Sequence, residues 1–425
     1  MWRELPLGNL AAINSGGTPS TDKTEFWGGD IPWVTPTDIT ACKANYLFDT
    51  ANRITKIGLH SCSAKLLPAG SILFTSRATV GVSRIAGIPV CTNQGFKSLT
   101  TSAGTDGKFL FYQVQRLRGA FERYAAGSTF PEINKKDTAR VLILHPSDVR
   151  VQQKIAAILS TIDTAIEQTE ALIEKYQHIK AGLMHDLFTR GVLPNGQLRP
   201  PREQAPELYQ ETAIGWIPRE WETSELERVC QTIVDCPHST PSFLLGGVLV
   251  ARTMHIKNGV FLEDEASRVS EKEYQDRIAR AEPKPGDVIL TREAPVGEAF
   301  VIPHGMKICL GQRVMLVKPK AALLDSDYLV AQIYSGALST RIAELTAGTT
   351  NPHLNVADVR SLLLALPPYQ EQQEMTQKIK AMNTKIHTQQ KVMQKLRQQK
   401  LGLMQDLLTG KVAVTVDTPA IEATA

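Results

Sequence analysis

The feature that most constrains the fold is an internal repeat. Lys180-Ala-Gly-Leu-Met-His-Asp-Leu-Phe-Thr189 recurs as Lys400-Leu-Gly-Leu-Met-Gln-Asp-Leu-Leu-Thr409 at an offset of 220 residues, and the same offset carries Gln152-Gln153 onto Gln372-Gln373. Upstream the copies still correspond, with an offset that drifts as loops change length. Trp2 answers to Trp221, Thr18-Pro19-Ser20 to Thr240-Pro241-Ser242, and Gly70 and Gly81 to Gly286 and Gly297. Ala126-Gly127-Ser128 through Asn134 and Asp137 answers to Ala347-Gly348-Thr349 through Asn355 and Asp358. Such a chain is two related halves, each a diverged globular part followed by a well-matched segment. At 425 residues it also exceeds the size at which one core stops growing, so more than one domain is expected on length alone.

The matched segments carry a helical signal. Apolar residues recur at Ile155, Leu159, Ile162, Ile166, Ile173, Tyr176, Leu183 and Leu187, and in the second copy at Met375, Ile379, Met382, Ile386, Met393, Leu396, Leu403 and Leu407. This alternating four-three spacing is a heptad seam. Val151 to Thr189 is 39 residues, about 58 Å of helix at the usual rise. A narrow seam fits one partner helix better than a broad domain core, so the two segments are expected to pair with each other. The alternative is that each packs on the core of its own domain. Each seam is interrupted twice, at Thr169 and Lys180 and at Gln389 and Lys400. One antiparallel register sets Thr169 against Lys400 and Lys180 against Gln389, and places Ile173 opposite Leu396 and Tyr176 opposite Met393. Polar layers that match in this way select register. If the lysines instead snorkel from the seam edge, the apolar residues alone set it.

The globular parts read as mixed α and β. Gly70-Ser-Ile-Leu-Phe-Thr-Ser-Arg77 and Gly286-Asp-Val-Ile-Leu-Thr-Arg292 resemble strands ending at polar loops, and Val141–Leu144 and Leu362–Leu366 are expected as strands preceding the helices. Leu193-Pro-Asn-Gly through Pro200-Pro201 has the composition of a connection. The expected fold class is therefore α+β, with two mixed α/β domains separated by two long helices in an antiparallel coiled coil. The divisions are residues 1–148, a first helix over 149–190, a linker over 191–212, a second domain over 213–368, a second helix over 369–410, and a disordered tail over 411–425.

Composition narrows the function classes. The absence of a long apolar run or a signal-like start predicts a cytoplasmic protein with no membrane association. The six scattered cysteines form no C-x-x-C pair and are expected as reduced, mostly buried thiols; Cys236 and His238 offer two metal ligands, but no third or fourth lies at usual spacing, so no metal is expected. A net charge of +4 is compatible with nucleic acid without demonstrating it. Catalytic motifs are not convincing. Asn351-Pro352-His353-Leu354 approximates an amino-methyltransferase motif with the wrong third and fourth residues, and it aligns with Phe130-Pro131-Glu132-Ile133 of the other half. Glu282-Pro283-Lys284 lacks an upstream Pro-Asp, and Gly104-Thr-Asp-Gly-Lys108 is too short for a phosphate loop.

Two diverged domains, each followed by a helix ending in G-L-M-x-D-L-x-T, resemble the specificity subunits of type I restriction-modification enzymes over nearly the whole chain. Trp33-Val-Thr-Pro-Thr-Asp-Ile39, Ala126-Gly-Ser-Thr-Phe-Pro131, Asp235-Cys-Pro-His-Ser-Thr-Pro241 and Leu310-Gly-Gln-Arg313 carry the resemblance locally. It implies a subunit without catalytic residues in which each domain reads half of a bipartite site in double-stranded DNA. It further implies helices that set the spacing and dock two adenine methyltransferase subunits, and restriction subunits, ATP-dependent translocases and nucleases, that join later. S-adenosylmethionine would be held by the methyltransferase, and no cofactor by this chain. Physical scale agrees, because one DNA turn of about 34 Å separates successive major-groove faces.

Base reading needs donors and acceptors on stiff loops, with Arg favoured for guanine and Asn or Gln for adenine. Arg77 and Arg292 fall at corresponding strand ends, displaced by one residue, Thr79 follows Arg77, and Thr35 corresponds to Arg252. Thr18 and Ser20, with His238, Ser239 and Thr240, form a further candidate edge. For each residue a turn or capping role is the alternative. Lys154, Lys175, Lys378, Lys385, Lys391 and Lys395 are expected mainly as solvated helix faces or methyltransferase contacts rather than phosphate ligands.

Overall fold

Ile72-Leu-Phe74 and Val288-Ile-Leu-Thr291 are unbroken apolar or β-branched runs, entered from Gly70 and Gly286 at positive φ, and every residue in them is buried. Such runs belong inside a sheet covered on both faces. The computed structural model describes residues 1–77, 79–125, 131–347 and 352–416, and places both runs at interior positions of matching sheets. In the first half the strand order is Ala11–Ser15, Lys97–Thr101, Ile72–Phe74, Ser83–Ala86, Tyr46–Leu47; in the second it is Cys230–Asp235, Val314–Pro319, Val288–Thr291, Ala299–Val301. Each half adds a three-stranded sheet whose central strand, Trp27–Val34 or Val248–Ala251, pairs antiparallel on one side and parallel on the other. A third pairing joins Trp2–Pro6 to Leu142–Pro146, and Glu222–Glu225 to Leu363–Leu366. The fold is thus α+β, with the same strand plan built twice.

The helices run Val149–Arg190 and Tyr369–Leu407. The chain divides into two compact units, Met1–Leu172 with Gln389–Ala425, and Ile173–Thr388, so each unit holds the start of one helix and the end of the other. In the first unit, Ile155 and Leu159 share a core with Phe74, Leu99, Phe109 and Phe121, with Met404 and Leu407 of the second helix, and with Leu408 just after it. In the second unit, Leu187, Met375 and Ile379 share a core with Leu290, Met315 and Tyr328. The helix ends therefore do pack on domain cores, the alternative the heptad pattern left open. Among the interior seam positions Ile162, Thr169 and Ile173 are buried and Ile166, Tyr176, Lys180, Gln389, Met393, Leu396 and Lys400 are half-buried.

A buried amide locks each helix start. Gln152 Nε2 donates to the carbonyls of Gly104 and Pro146 at 3.0 and 2.9 Å, and its Oε1 accepts from Asp106 N at 2.7 Å. Gln372 repeats the pattern with Leu323 and Pro367, both at 2.9 Å, and Asp325 N at 2.8 Å. Two donors and the acceptor of each amide are satisfied, as its full burial requires.

Two expectations need correction. The Thr169–Lys400 layer is not formed: Lys400 Nζ lies 2.6 Å from Asp163, while Thr169 returns its hydroxyl to the Ala165 carbonyl at 2.7 Å. Asp163 also accepts from Tyr112 at 2.6 Å and Asn45 at 2.7 Å, so the lysine neutralises a buried carboxylate that a threonine hydroxyl could not. With Arg397 paired to Glu170 at 2.5 Å, the helices of this unit run antiparallel. Measured at these ion pairs, the register departs from the expected one by six residues at Lys400–Asp163 and by two at Arg397–Glu170. Ile173, Tyr176 and Lys180 belong to the second unit and Gln389, Met393 and Leu396 to the first. The tail expectation also changes, because Val412 N donates to Asp406 at 3.2 Å and Val414 packs on the first core; the remainder of that tail, from 417, lies outside the described residues.

Residues 191–212, expected as a linker, fold onto the second unit around a buried carboxylate. Glu371 receives both Arg199 Nη atoms at 2.5 and 3.0 Å, Trp221 Nε1 at 3.1 Å and Val192 N at 2.8 Å. Gly191, at φ +64°, passes so close that a Cβ there would lie 2.1 Å from Glu371 Oε1. Glu371→Ala leaves the Trp221 indole and the Val192 amide without their acceptor, and Arg199 with only Glu220 and the Arg190 carbonyl. It is expected to lower the unfolding free energy by about 3 to 5 kcal/mol, measured by urea denaturation of the purified chain; a loss below about 1 kcal/mol would show that the network is dispensable.

Candidate nucleic-acid interface

In the first unit the candidate residues gather around the loop Asn93–Gly95. Gly17 N donates to Thr92 O at 2.9 Å, which brings Thr18 over the loop, where its hydroxyl donates to Gln94 Oε1. Asn93 N donates to Val34 O at 3.1 Å and sets Thr35 on the same side; Ser76 N donates to Gly95 O at 2.7 Å and brings up Arg77. Ser20 is exposed, its carbonyl accepting from Trp27 Nε1 at 3.1 Å. Thr79 is exposed, and its carbonyl accepts the Thr75 hydroxyl in the turn that Gly81 closes at φ +84°. A Cβ at Gly81 would come within 2.8 Å of Arg118, so this turn admits glycine for two reasons.

Thr35 proves to be a helix cap. Its hydroxyl donates to Asp38 Oδ2 at 2.6 Å and accepts from Asp38 N at 3.4 Å, which commits it to the turn Pro36–Ala41. Arg77 is different. Its side chain is 49% exposed, and its Nε meets Glu132 Oε2 at 2.8 Å. A pair this exposed contributes roughly 0 to 1 kcal/mol, so an incoming phosphate or base edge can replace the carboxylate. Glu132 also faces buried Lys97 at 3.5 Å; burial lowers the pKa of that lysine, and Glu132 partly offsets the effect.

The second unit builds the same edge from other side chains. Gln312 Nε2 donates to His238 O at 3.2 Å, as Gln94 meets Thr18 in the first unit. His238 is exposed with Nε2 3.3 Å from Asp235; Ser239 and Thr240 follow on the exposed loop. Gly311 N donates to Ala251 O at 2.8 Å, and a Cβ on Gly311 would sit 2.9 Å from Arg252, so Arg252 lies against this loop. Its guanidinium stacks 4.8 Å from the Phe243 ring centroid and reaches Ser267 Oγ at 3.4 Å.

Arg292 does not occupy the place expected of a base reader. Its side chain is 14% exposed, and Nη1 is held 2.6 Å from Asp235 Oδ2. The residue presented to solvent beside it is Arg313, at φ +67° with Nε 3.0 Å from Glu293, while Arg292 N donates to Arg313 O at 3.0 Å. Arg292 holds the place of Ser76, because its N donates to Arg313 O as Ser76 N donates to Gly95 O, and Leu354 N donates to its carbonyl as Ile133 N does to that of Ser76; Arg77 corresponds instead to Glu293.

The Type I restriction modification DNA specificity domain matches residues 1–176 and 218–398. The chain belongs to this family. Over 423 residues it is 26% identical to the MjaIX type I restriction enzyme specificity subunit of Methanocaldococcus jannaschii, which covers 97% of this chain and 94% of the relative. The EcoprrI specificity subunit of Escherichia coli is 30% identical over 173 residues, 40% of this chain and 42% of the relative. The type I restriction-modification S subunit from M. genitalium superposes with a TM-score of 0.58 at 15% identity, covering 98% and 97% of the two chains. A structure described by complex assembly and conformational transition of the type I R-M system gives 0.56 at 18% identity, covering 97% and 98%. At those identities the structural likeness is one of fold.

Four residues of these edges, Gln94, Gln312, Arg313 and Arg277, were not among the sequence candidates. Gln94 and Gln312 are matched, and Gln312 stands inside Leu310-Gly-Gln-Arg313, so aligning that motif onto the first half finds both. Arg277 had no such signal. Buried at the end of the helix Glu271–Arg277, it donates to Leu310 O at 2.7 Å and Ser239 O at 3.2 Å and pins the Pro237–Ser239 loop from beneath. No group of three metal-ligating side chains occurs among the described residues. No helix among them is long and apolar enough to cross a membrane. The motif 126–131 lies outside the described residues except for Pro131, as does Asn351.

The contrast between the two arginines sets an expectation for stability. Arg292→Ala leaves Asp235 with only the Cys236 amide and exposed His238 and is expected to cost about 3 kcal/mol, whereas Arg77→Ala should stay within about 0.5 kcal/mol of the parent. Parallel denaturation curves decide it, and equal losses would mean that Arg292 is no anchor.

Proposed function

We propose that the chain is a non-catalytic recognition subunit whose two loop edges each read one half of a bipartite site in double-stranded DNA. The observation that carries this reading is one strand plan presenting two different sets of donors. The first edge carries Thr18, Gln94 and Arg77, and the second carries His238, Ser239, Gln312, Arg252 and Arg313. Different donor sets on one scaffold are what two unlike half-sites require. Ser20, Thr79 and Thr240 stand as further contacts on the same loops, and Arg292 and Thr35 as residues that shape them.

The long helices serve as spacer and as the seat of two adenine methyltransferase subunits, a role supported by the apolar side chains of Ile179, Val392 and Leu401 left exposed along them. S-adenosylmethionine belongs to that partner, which would take the target adenine out of the stack to reach it. Restriction subunits complete a cytoplasmic complex.

Two measurements test this. With S-adenosylmethionine the purified chain alone should leave DNA unmethylated, and addition of the methyltransferase subunit should produce adenine methylation at a two-part sequence. Replacing residues 1–148 by the corresponding domain of a relative should then change one half of that sequence and leave the other half and the spacing unchanged. Methyl transfer by the chain alone would remove the non-catalytic reading, and a change in both halves would remove independent reading.

A further inference from the structure

The loop that follows His238, Ser239 and Thr240 ends in an apolar tip. Phe243 and Leu244 are exposed and Leu245 is 107% exposed; Met254, two residues beyond Arg252, is exposed as well. Leaving leucine in water forgoes burial worth about 1.5 to 3 kcal/mol, and neighbouring apolar side chains on a surface mark a contact.

The tip is built to stay out. Leu244 N donates to Arg268 O at 2.8 Å, and Arg268 Nη1 donates back to Gly247 O at 3.2 Å. Gly247 sits at φ +117°, where a Cβ would lie 2.2 Å from Val269 O, so the loop closes tightly on that strand. These contacts hold both ends of the tip and cover none of its side chains.

Charge identifies the occupant. Arg252 lies under the Phe243 ring and Arg268 braces the base of the tip, and neither has a carboxylate partner among the described residues, unlike Arg77, Arg277, Arg292 and Arg313. Two guanidinium groups without an ion pair beside an apolar projection match a surface in which anions flank apolar faces. Duplex DNA has that character, with phosphates on either side of stacked bases. The tip is also continuous with the edge already assigned to DNA.

We propose that Phe243-Leu244-Leu245 is an apolar wedge that enters against a base step in the half-site read by the second unit, with Arg252 and Arg268 on the adjoining phosphates. This rests on the DNA-reading role proposed above and adds deformation of the duplex to it. Discrimination at that step then comes from how easily it unstacks, without a hydrogen bond to either base.

The test uses the full chain with its methyltransferase subunits, and a duplex bearing the site mapped by sequencing methylated adenines. 2-Aminopurine is placed at one position at a time through the half-site, avoiding the methylated adenine, whose own extrusion would give a signal. The parent complex should raise fluorescence at one step. Leu245→Ser, a change at a fully exposed position, should abolish that rise and weaken binding about tenfold, with the methylated adenine and spacing unchanged, and Leu245→Met should restore both. Equal affinity and fluorescence for Leu245→Ser would overturn the wedge while leaving DNA reading intact. Loss of methyltransferase co-purification with Leu245→Ser would overturn it in favour of a protein contact. Absence of sequence-specific binding by the parent complex would instead remove the reading on which the wedge rests.

Discussion

Everything in the architecture hangs on how the long helices are joined to their globular parts, and that joint is a buried side-chain amide. Gln152 and Gln372 are each fully buried with two carbonyls and one amide hydrogen as partners. A helix attached by apolar contacts alone can slip or turn at small cost, since those contacts have no direction. An amide with all three bonds made cannot, because any rotation strands a polar group in a dry interior. The loops at Gly104 and Leu323, the strands ending at Pro146 and Leu366, and the helix starts are thereby locked together. Recognition edges on such a unit inherit a defined orientation from its helix.

Charge burial follows two patterns in this chain. Asp163 and Glu371 are buried carboxylates surrounded by donors, and each organises a helix junction: Asp163 gathers Lys400, Tyr112 and Asn45, and Glu371 gathers Arg199, Trp221 and the Val192 amide. Such sites contribute little net stability over an apolar core but penalise any arrangement that leaves the carboxylate unpaired. On the loop edges the pairs are looser. Arg77 with Glu132 and Arg313 with Glu293 remain substantially exposed, and Arg252 has a ring and a hydroxyl in place of a carboxylate. Tight pairs hold the scaffold, and loose ones leave cations able to exchange partners.

The two units also show how one strand plan accommodates different side chains at the same edge. A glutamine bonded to the first loop recurs, accepting from the Thr18 hydroxyl as Gln94 and donating to the His238 carbonyl as Gln312, while the position at the end of the interior strand holds Ser76 in one unit and Arg292 in the other. In the second unit Asp235 lies close enough to draw Arg292 inward, and Arg313 takes the outer place.

The sequence by itself determined the duplication, the two long helices with their seams, the apolar strands at Ile72 and Val288, and the positive-φ turns at Gly70, Gly81, Gly286 and Gly297. All of these are local: a period of 3.5, a run of buried residues, or a glycine where other side chains are strained. Which candidate loops share an edge was partly legible, because the repeat aligned Thr18 with Thr240 and brought Arg77 and Arg292 to within one residue of each other. Tertiary structure decided what each polar side chain does there. Arg292 meets Asp235 across 57 residues, Arg199 meets Glu371 across 172, and Lys400 selects Asp163 over Thr169. Arg277 reaches a carbonyl 33 residues away that no side-chain pattern reveals. The physical reason is that an apolar residue needs only to be buried among others of its kind, whereas a buried charge needs a particular partner in a particular direction. Only the folded chain brings such a partner within reach.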